Sequence, residues 1–170
     1  MDYSKKPRDY FSHRRIELLE FLPQEYNTVL DVGCGDGSFL KLLRGENREL
    51  WGIELAEKPA KRAKKIFKNV LSGSVEDNIT KLPENHFDVI FFNDVLEHLS
   101  DPYFVLDQIK KQLKKDGVVI SSIPNIRYHS ALKSLLFNKD WRYESHGIMD
   151  KTHLRFFTKK SIARMYEEAG

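Results

Sequence analysis

The chain has 170 residues, a formal net charge of +3 and 41% hydrophobic residues, with 11 Phe, 7 Tyr and 2 Trp. Such a length fits one domain that buries about 70% of its unfolded surface, which excludes disorder as the main state. No apolar run approaches the roughly 20 residues of a bilayer span, MDYSKKPRDYFSHRR lacks an apolar signal region, and a lone Cys34 suits a reducing compartment, so a soluble cytoplasmic protein is expected.

Ile16, Leu19 and Leu22 recur at helical spacing and stop at Pro23, predicting an N-terminal helix over 12–22. Thr28 to Val32 reads as a short buried strand, and Ser38 to Leu43 as a helix closed by a left-handed Gly45. A strand over Leu50 to Leu55, a helix over Glu57 to Phe67, a brief strand over Asn69 to Ser72 and a polar stretch follow. The lysines between Lys58 and Lys68 cover most faces of their helix, which reads as a solvated surface and gives no case for nucleic acid. Phe87 to Asn93 is the most hydrophobic run, as a central parallel strand covered on both faces requires.

Asp101-Pro102 opens a helix that runs to about Lys114; Asp116-Gly117 then turns the chain into a fifth strand over Val118 to Ile123. From 126 to 157 the pattern is irregular, with a helix through Ala131 and Leu136 and then a loop holding Trp141, Tyr143, His146 and His153. Thr158 caps a last helix. Strands alternating with helices and joined by right-handed crossovers give an α/β, doubly wound, Rossmann-like and mostly parallel sheet of order 3-2-1-4-5. Its ligand belongs at the switch point, beside Gly33 to Gly37 and Asn93 to Glu97. The expected plan is a single domain with a cofactor core over 27–125 and an acceptor or lid segment over 126–157.

Asp31-Val-Gly33-Cys-Gly35-Asp-Gly37 lies between a strand and a helix, where missing Cβ atoms allow close approach to a ligand. Glu54 falls 21 residues beyond Gly33 at the next strand end, placed to accept hydrogen bonds from ribose hydroxyls. The third glycine is misplaced for a dinucleotide fingerprint, and Asp31, Asp36, Glu54, Asp94 and Glu97 at the strand ends would repel a pyrophosphate. An acid-lined nucleoside site prefers a cation, and S-adenosylmethionine offers a sulfonium, an ammonium and a ribose.

VLDVGCGDG (29–37), WGIEL, GSVED (73–77), FDVIFFNDVLEHLSDP (87–102) and LKKDGVVISSIPN (113–125) resemble, in order and spacing, the motifs of class I S-adenosylmethionine-dependent methyltransferases. The tail THLRFFTKKSIARMYEEAG further resembles a subgroup found in quinone or sugar methylation. The resemblance implies that Gly33, Cys34 and Gly35 line the methionine and ribose, with Asp31 reaching the amino group. It also implies that Glu54 holds the ribose, Leu55 packs on adenine, Ser74 and Val75 contact its edge, Asn93 offers its carbonyl to the ammonium, and Val95 packs nearby. The family commonly has Asp at the position of Ser74, so Glu76 or Asp77 is a substitute for that contact. It also adds two antiparallel strands after the last helix, so the C-terminal edge is expected to be missing and the chain truncated.

Methyl transfer needs a base only when the acceptor carries a proton; His153 is the first candidate and His98 the second. His129, His146 and His153 match no metal-ligand spacing, so no metal is expected. Trp141, Tyr143, His153 and Arg155 are candidates for a lid. The Asn93-Asp-Val-Leu96 run lacks the Asn/Asp-Pro-Pro-Tyr pattern of adenine methylation in nucleic acid, which favours a small-molecule acceptor, and a homodimer is compatible with the chain. Two rivals are a nicotinamide-dependent reductase and a noncatalytic cofactor-binding or scaffold module.

Overall fold

The computed structural model describes residues 11, 14–45 and 47–170; Ser12 and His13, where the first helix was expected to begin, lie outside them. The described chain forms two compact units, one of residues up to Asn93 together with 108–122 and one of residues 94–107 together with 123–170.

The first unit holds one parallel sheet of β1 (Thr28–Val32), β2 (Glu49–Glu54), β3 (Asn69–Ser72), β4 (Phe87–Asn93) and β5 (Leu113–Ser122), in the expected order 3-2-1-4-5. Phe87, Val89, Ile90, Phe91 and Phe92 are wholly buried, as an interior strand covered on both faces requires, although β1 and not β4 is the middle of the sheet. Asp88 ties the lower ends together. Its carboxylate accepts from Asn27 N, Thr28 N and Thr28 Oγ1, each at 2.9 Å, and from Lys114 Nζ at 2.9 Å.

Several expected elements come out shorter or displaced. The N-terminal helix is a 3₁₀ stretch over Ile16–Phe21, and the helix after the glycine turn is one 3₁₀ turn, Leu40–Leu43. Gly45 is not left-handed; the chain leaves that turn through an extended Arg44, and the positive φ falls at Asn47. Helix α1 (Glu57–Ala63) ends four residues early, and the polar stretch hides α2 (Val75–Asn78), capped by Ser74. Asp116 and Gly117 do not turn the chain. They lie inside β5, where register with β4 slips between Phe87 and Val89, and the strand bows around Phe87, whose carbonyl oxygen a Cβ at Gly117 would approach to 2.8 Å.

Helix α3 (Pro102–Ile109) is opened by Asp101, whose carboxylate accepts from Phe104 N at 2.9 Å, as the Asp-Pro signal required. The second unit contains α4 (His129–Lys133), a π-helical turn over Ser134–Asn138, and α5 (Lys159–Ala169). Thr158 and Ser161 form a reciprocal capping box at the start of α5. No helix among the described residues is long and apolar enough to cross a membrane.

Candidate cofactor site and histidine cluster

The glycine turn consumes its own backbone donors. Gly33 N and Cys34 N both donate to Ile53 O, at 2.8 and 3.0 Å, Asp36 N donates to Phe11 O at 3.1 Å, and Gly37 N to Cys34 O at 2.9 Å. Gly35 N donates to Glu54 Oε2 at 2.8 Å, and Ser38 N to Asp36 Oδ1 at 3.1 Å. Every amide from 33 to 38 is therefore engaged inside the protein. Gly33, Gly35 and Gly37 carry φ of +76°, +56° and +82°, a region that L side chains avoid. A Cβ at Gly35 would also run into the carbonyl oxygen of Phe11.

Glu54 is 6% exposed and held from two sides, by Gly35 N and, at 2.7 Å to Oε1, by Ala56 N. Burial raises its pKa, partly offset by those two donors. Asp31, 1% exposed, accepts from Asn93 Nδ2 at 3.1 Å. Burial first and the nearby Glu54 charge second push its pKa well up, against the Asn93 hydrogen bond. The other end of the Asn93 amide, Oδ1, is buried with no hydrogen-bond partner among the described residues. Two buried acids and an orphaned acceptor, with the Arg62 charge felt at Glu54, make a site that fits an ammonium or sulfonium better than a phosphate.

Around this centre, Leu55 is 50% exposed, an apolar surface next to Glu54. Ser74 Oγ accepts from Asp77 N at 3.1 Å and donates to Asp77 Oδ2 at 2.7 Å, while Val75 is buried as the first residue of α2. Cys34 turns its side chain into the core: a Cβ at Gly52 would lie 2.6 Å from its sulfur, so β2 needs glycine there. Burial, then the charges of Asp31 and Glu54, raise the Cys34 thiol pKa, so it is no thiolate nucleophile and any contact with a ligand is its backbone's.

The second unit has a polar cluster of its own. His153, 8% exposed, has Nδ1 at 2.8 Å from Ile148 O, and its Nε2 lies 3.9 Å from Oε1 of Glu97, which is 1% exposed. A carbonyl only accepts, so Nδ1 carries a proton and Nε2 is the basic nitrogen of the neutral ring. His98 repeats the device with Nδ1 at 2.9 Å from Thr152 O, and the two rings are 4.8 Å apart. Leu154 N and Arg155 N both donate to Glu97 O, at 2.8 and 3.1 Å, and Arg155 Nη2 donates to Ser100 O. Val95, half-buried, precedes the 3₁₀ turn Leu96–His98 that carries Glu97 and His98.

Glu97, His98 and His153 bring one ligand atom each within 4.8 Å of one another, the arrangement a divalent ion could use. The histidine spacings considered from sequence did not include this triad. Glu97 is expected from sequence among the acids at the strand ends; its grouping with His98 and His153 is what the sequence does not show, and only its adjacency to His98 hints at it.

A family model described as a methyltransferase domain matches residues 5–170. The chain belongs to the S-adenosylmethionine-dependent methyltransferase family. Among curated relatives, the ubiquinone biosynthesis O-methyltransferase of Hydrogenovibrio crunogenus is 28% identical over 168 residues, 92% of this chain and 67% of that protein. Its namesake from Actinobacillus pleuropneumoniae is 33% identical over 121 residues, 63% of this chain and 52% of that one. The chain thus spans about half to two thirds of the curated relatives it matches. Among solved structures, a SAM-dependent methyltransferase from Archaeoglobus fulgidus superposes with a TM-score of 0.72 at 23% identity, covering 99% of this chain and 74% of that one. A plantazolicin methyltransferase in complex with SAH and a desmethyl analogue gives 0.68 at 20% identity, covering 95% and 59%. These two likenesses establish the shared methyltransferase fold.

Proposed function

We propose that this methyltransferase domain transfers a methyl group from S-adenosylmethionine to a hydroxyl of a small, aromatic acceptor in the cytoplasm. The observation that carries the cofactor half is the closed glycine turn: with each amide from 33 to 38 engaged, no backbone donor is left for a pyrophosphate. That argues against the nicotinamide reading. Bound S-adenosylmethionine supplies a methyl group on a sulfonium, activated for direct displacement.

The chain's own residues then have distinct tasks. Glu54, pinned by Gly35 and Ala56, keeps lone pairs for the two ribose hydroxyls, and Leu55 covers one adenine face. Asp77, oriented by Ser74, stands in for the aspartate common in the family at the adenine amino contact, with the backbone of Val75 beside it. Asp31 and the orphaned Asn93 Oδ1 take the ammonium, while Gly33, Cys34 and Gly35 offer backbone surface and Val95 apolar packing. His153 removes the acceptor proton at Nε2; its ring is fixed by Ile148 O, and the charge it gains is stabilised by Glu97. His98 stands against the His153 ring as a second proton acceptor. The hydroxyl acceptor is suggested by the curated relatives, whose names state O-methylation in ubiquinone biosynthesis.

The test is methyl transfer from labelled S-adenosylmethionine to a panel of catechols and hydroxyquinols. His153→Ala should lower turnover about 10²-fold on a protonated hydroxyl while changing cofactor affinity by less than about twofold. No transfer to any hydroxyl acceptor, or full turnover by the variant at a pH where the hydroxyl is protonated, would overturn the reading.

A further inference from the structure

Residues 127–143 carry large apolar side chains that turn outward. Neither α4 nor the π-helical turn that follows it has a buried residue. Tyr128 is the N-cap of α4, and Leu132 is followed three and four residues on by Leu135 and Leu136; all four are exposed, Leu136 by 66%, and the adjacent Phe137 by 77%. Trp141 and Tyr143, both exposed, extend the surface and are set against Phe156, with ring centroids at 5.1 and 6.2 Å. Scattered apolar residues on a surface mean little, but seven within 16 positions mark an interaction site.

Charge selects the occupant. Arg127, Lys133, Lys139 and Arg142 are all exposed in the same segment, and Asp140 is its only carboxylate. A second copy docked about a two-fold axis would set these cations against themselves. The partner must be apolar and anionic at once. Tyr and Trp rings with polar tips, and cations on long apolar stems, match the boundary between lipid headgroups and acyl chains. We propose that 127–143 docks the chain in the plane of an anionic bilayer surface, inserting Leu136 and Phe137 among the acyl chains while the cations engage headgroups. The assignment is independent of the cofactor and of the chemistry proposed above.

Co-sedimentation with vesicles tests it, comparing phosphatidylcholine alone with phosphatidylcholine plus phosphatidylglycerol. The chain should bind the mixed vesicles at least about tenfold more tightly than the neutral ones, and less so at high salt. Leu136→Glu combined with Phe137→Glu should weaken that binding about tenfold or more, with unfolding midpoint and S-adenosylmethionine affinity unchanged. Because all the altered side chains are exposed, Lys133→Glu with Lys139→Glu provides a second variant with the same expected loss. Failure of the wild-type chain to sediment with the mixed vesicles would overturn the proposal, as would undiminished binding by both variants. So would self-association that the variants abolish in a chain that ignores vesicles, which would assign the face to a second copy.

Discussion

The glycine turn at 33–38 and the helical segment at 127–143 dispose of their groups in opposite ways. In the turn every backbone donor is taken, an acid is buried behind it, and the cysteine side chain is packed into the core. In the segment no helical residue is buried and the apolar side chains face solvent. The first arrangement leaves little freedom for a side chain to change; the second tolerates change locally and spends its side chains on whatever it meets. The turn is thus a constrained, internally satisfied stretch of backbone, and the segment an exposed one.

The sharpest way to break this contrast is Gly35→Val. It forces a branched residue to a φ of +56° and a Cβ into the Phe11 carbonyl, so stability should fall by about 3 kcal/mol and cofactor binding should vanish. Urea unfolding and calorimetry would read both, and a variant of native stability that binds normally would show that the turn is not constrained.

A smaller effect of opposite sign is expected at Asp31. Its pKa is raised in the folded chain, so the stability it contributes is fully present below its unfolded pKa and is lost as pH rises through the folded value. Asp31→Asn removes that loss. At neutral pH the variant without cofactor should gain roughly 1 kcal/mol, yet bind S-adenosylmethionine more weakly. Thermal unfolding with and without cofactor separates the two; a variant that loses stability without cofactor would contradict the burial argument.

In the other unit, Thr158→Ala dismantles the capping box of α5 and should cost about 1 kcal/mol without touching cofactor affinity. A loss of affinity measured by calorimetry would mean that the two regions are energetically coupled.

Much of the first region was legible in the sequence because its signals are local. The run from Phe87 to Asn93 marks an interior strand, although β1 and not β4 is the middle one, and strand order follows from alternation and crossover handedness. The glycine positions and the acid 21 residues on fall together at one end of the sheet, Gly35 N bonding to Glu54 Oε2. What escaped depends on distant partners. Nothing near Asp116-Gly117 says that β5 will bow around Phe87 instead of turning, since the reason lies in β4. Likewise Gly52 is glycine because Cys34 packs against it, and Glu97 meets His153, 56 positions further along the chain. The helices are shorter than apolar spacing predicts: regular structure after the glycine turn begins only at Leu40, and α1 stops at Ala63 although Phe67 N still donates to Ala63 O at 2.9 Å.

The central claim is that a buried acid, held by the amide of the glycine turn, recognises a cationic nucleoside. Calorimetric titration of the wild-type chain and Glu54→Gln with S-adenosylmethionine, across pH and in buffers of different ionisation enthalpy, addresses it most directly. Because burial raises the pKa of both Asp31 and Glu54, binding a cation should release protons, and affinity should strengthen as pH rises toward neutrality. Glu54→Gln should lose about 2 kcal/mol, roughly 30-fold in affinity, while NADH gives no saturable heat with either protein. Equal affinity in the variant, with no proton release in the wild-type chain, would contradict the account.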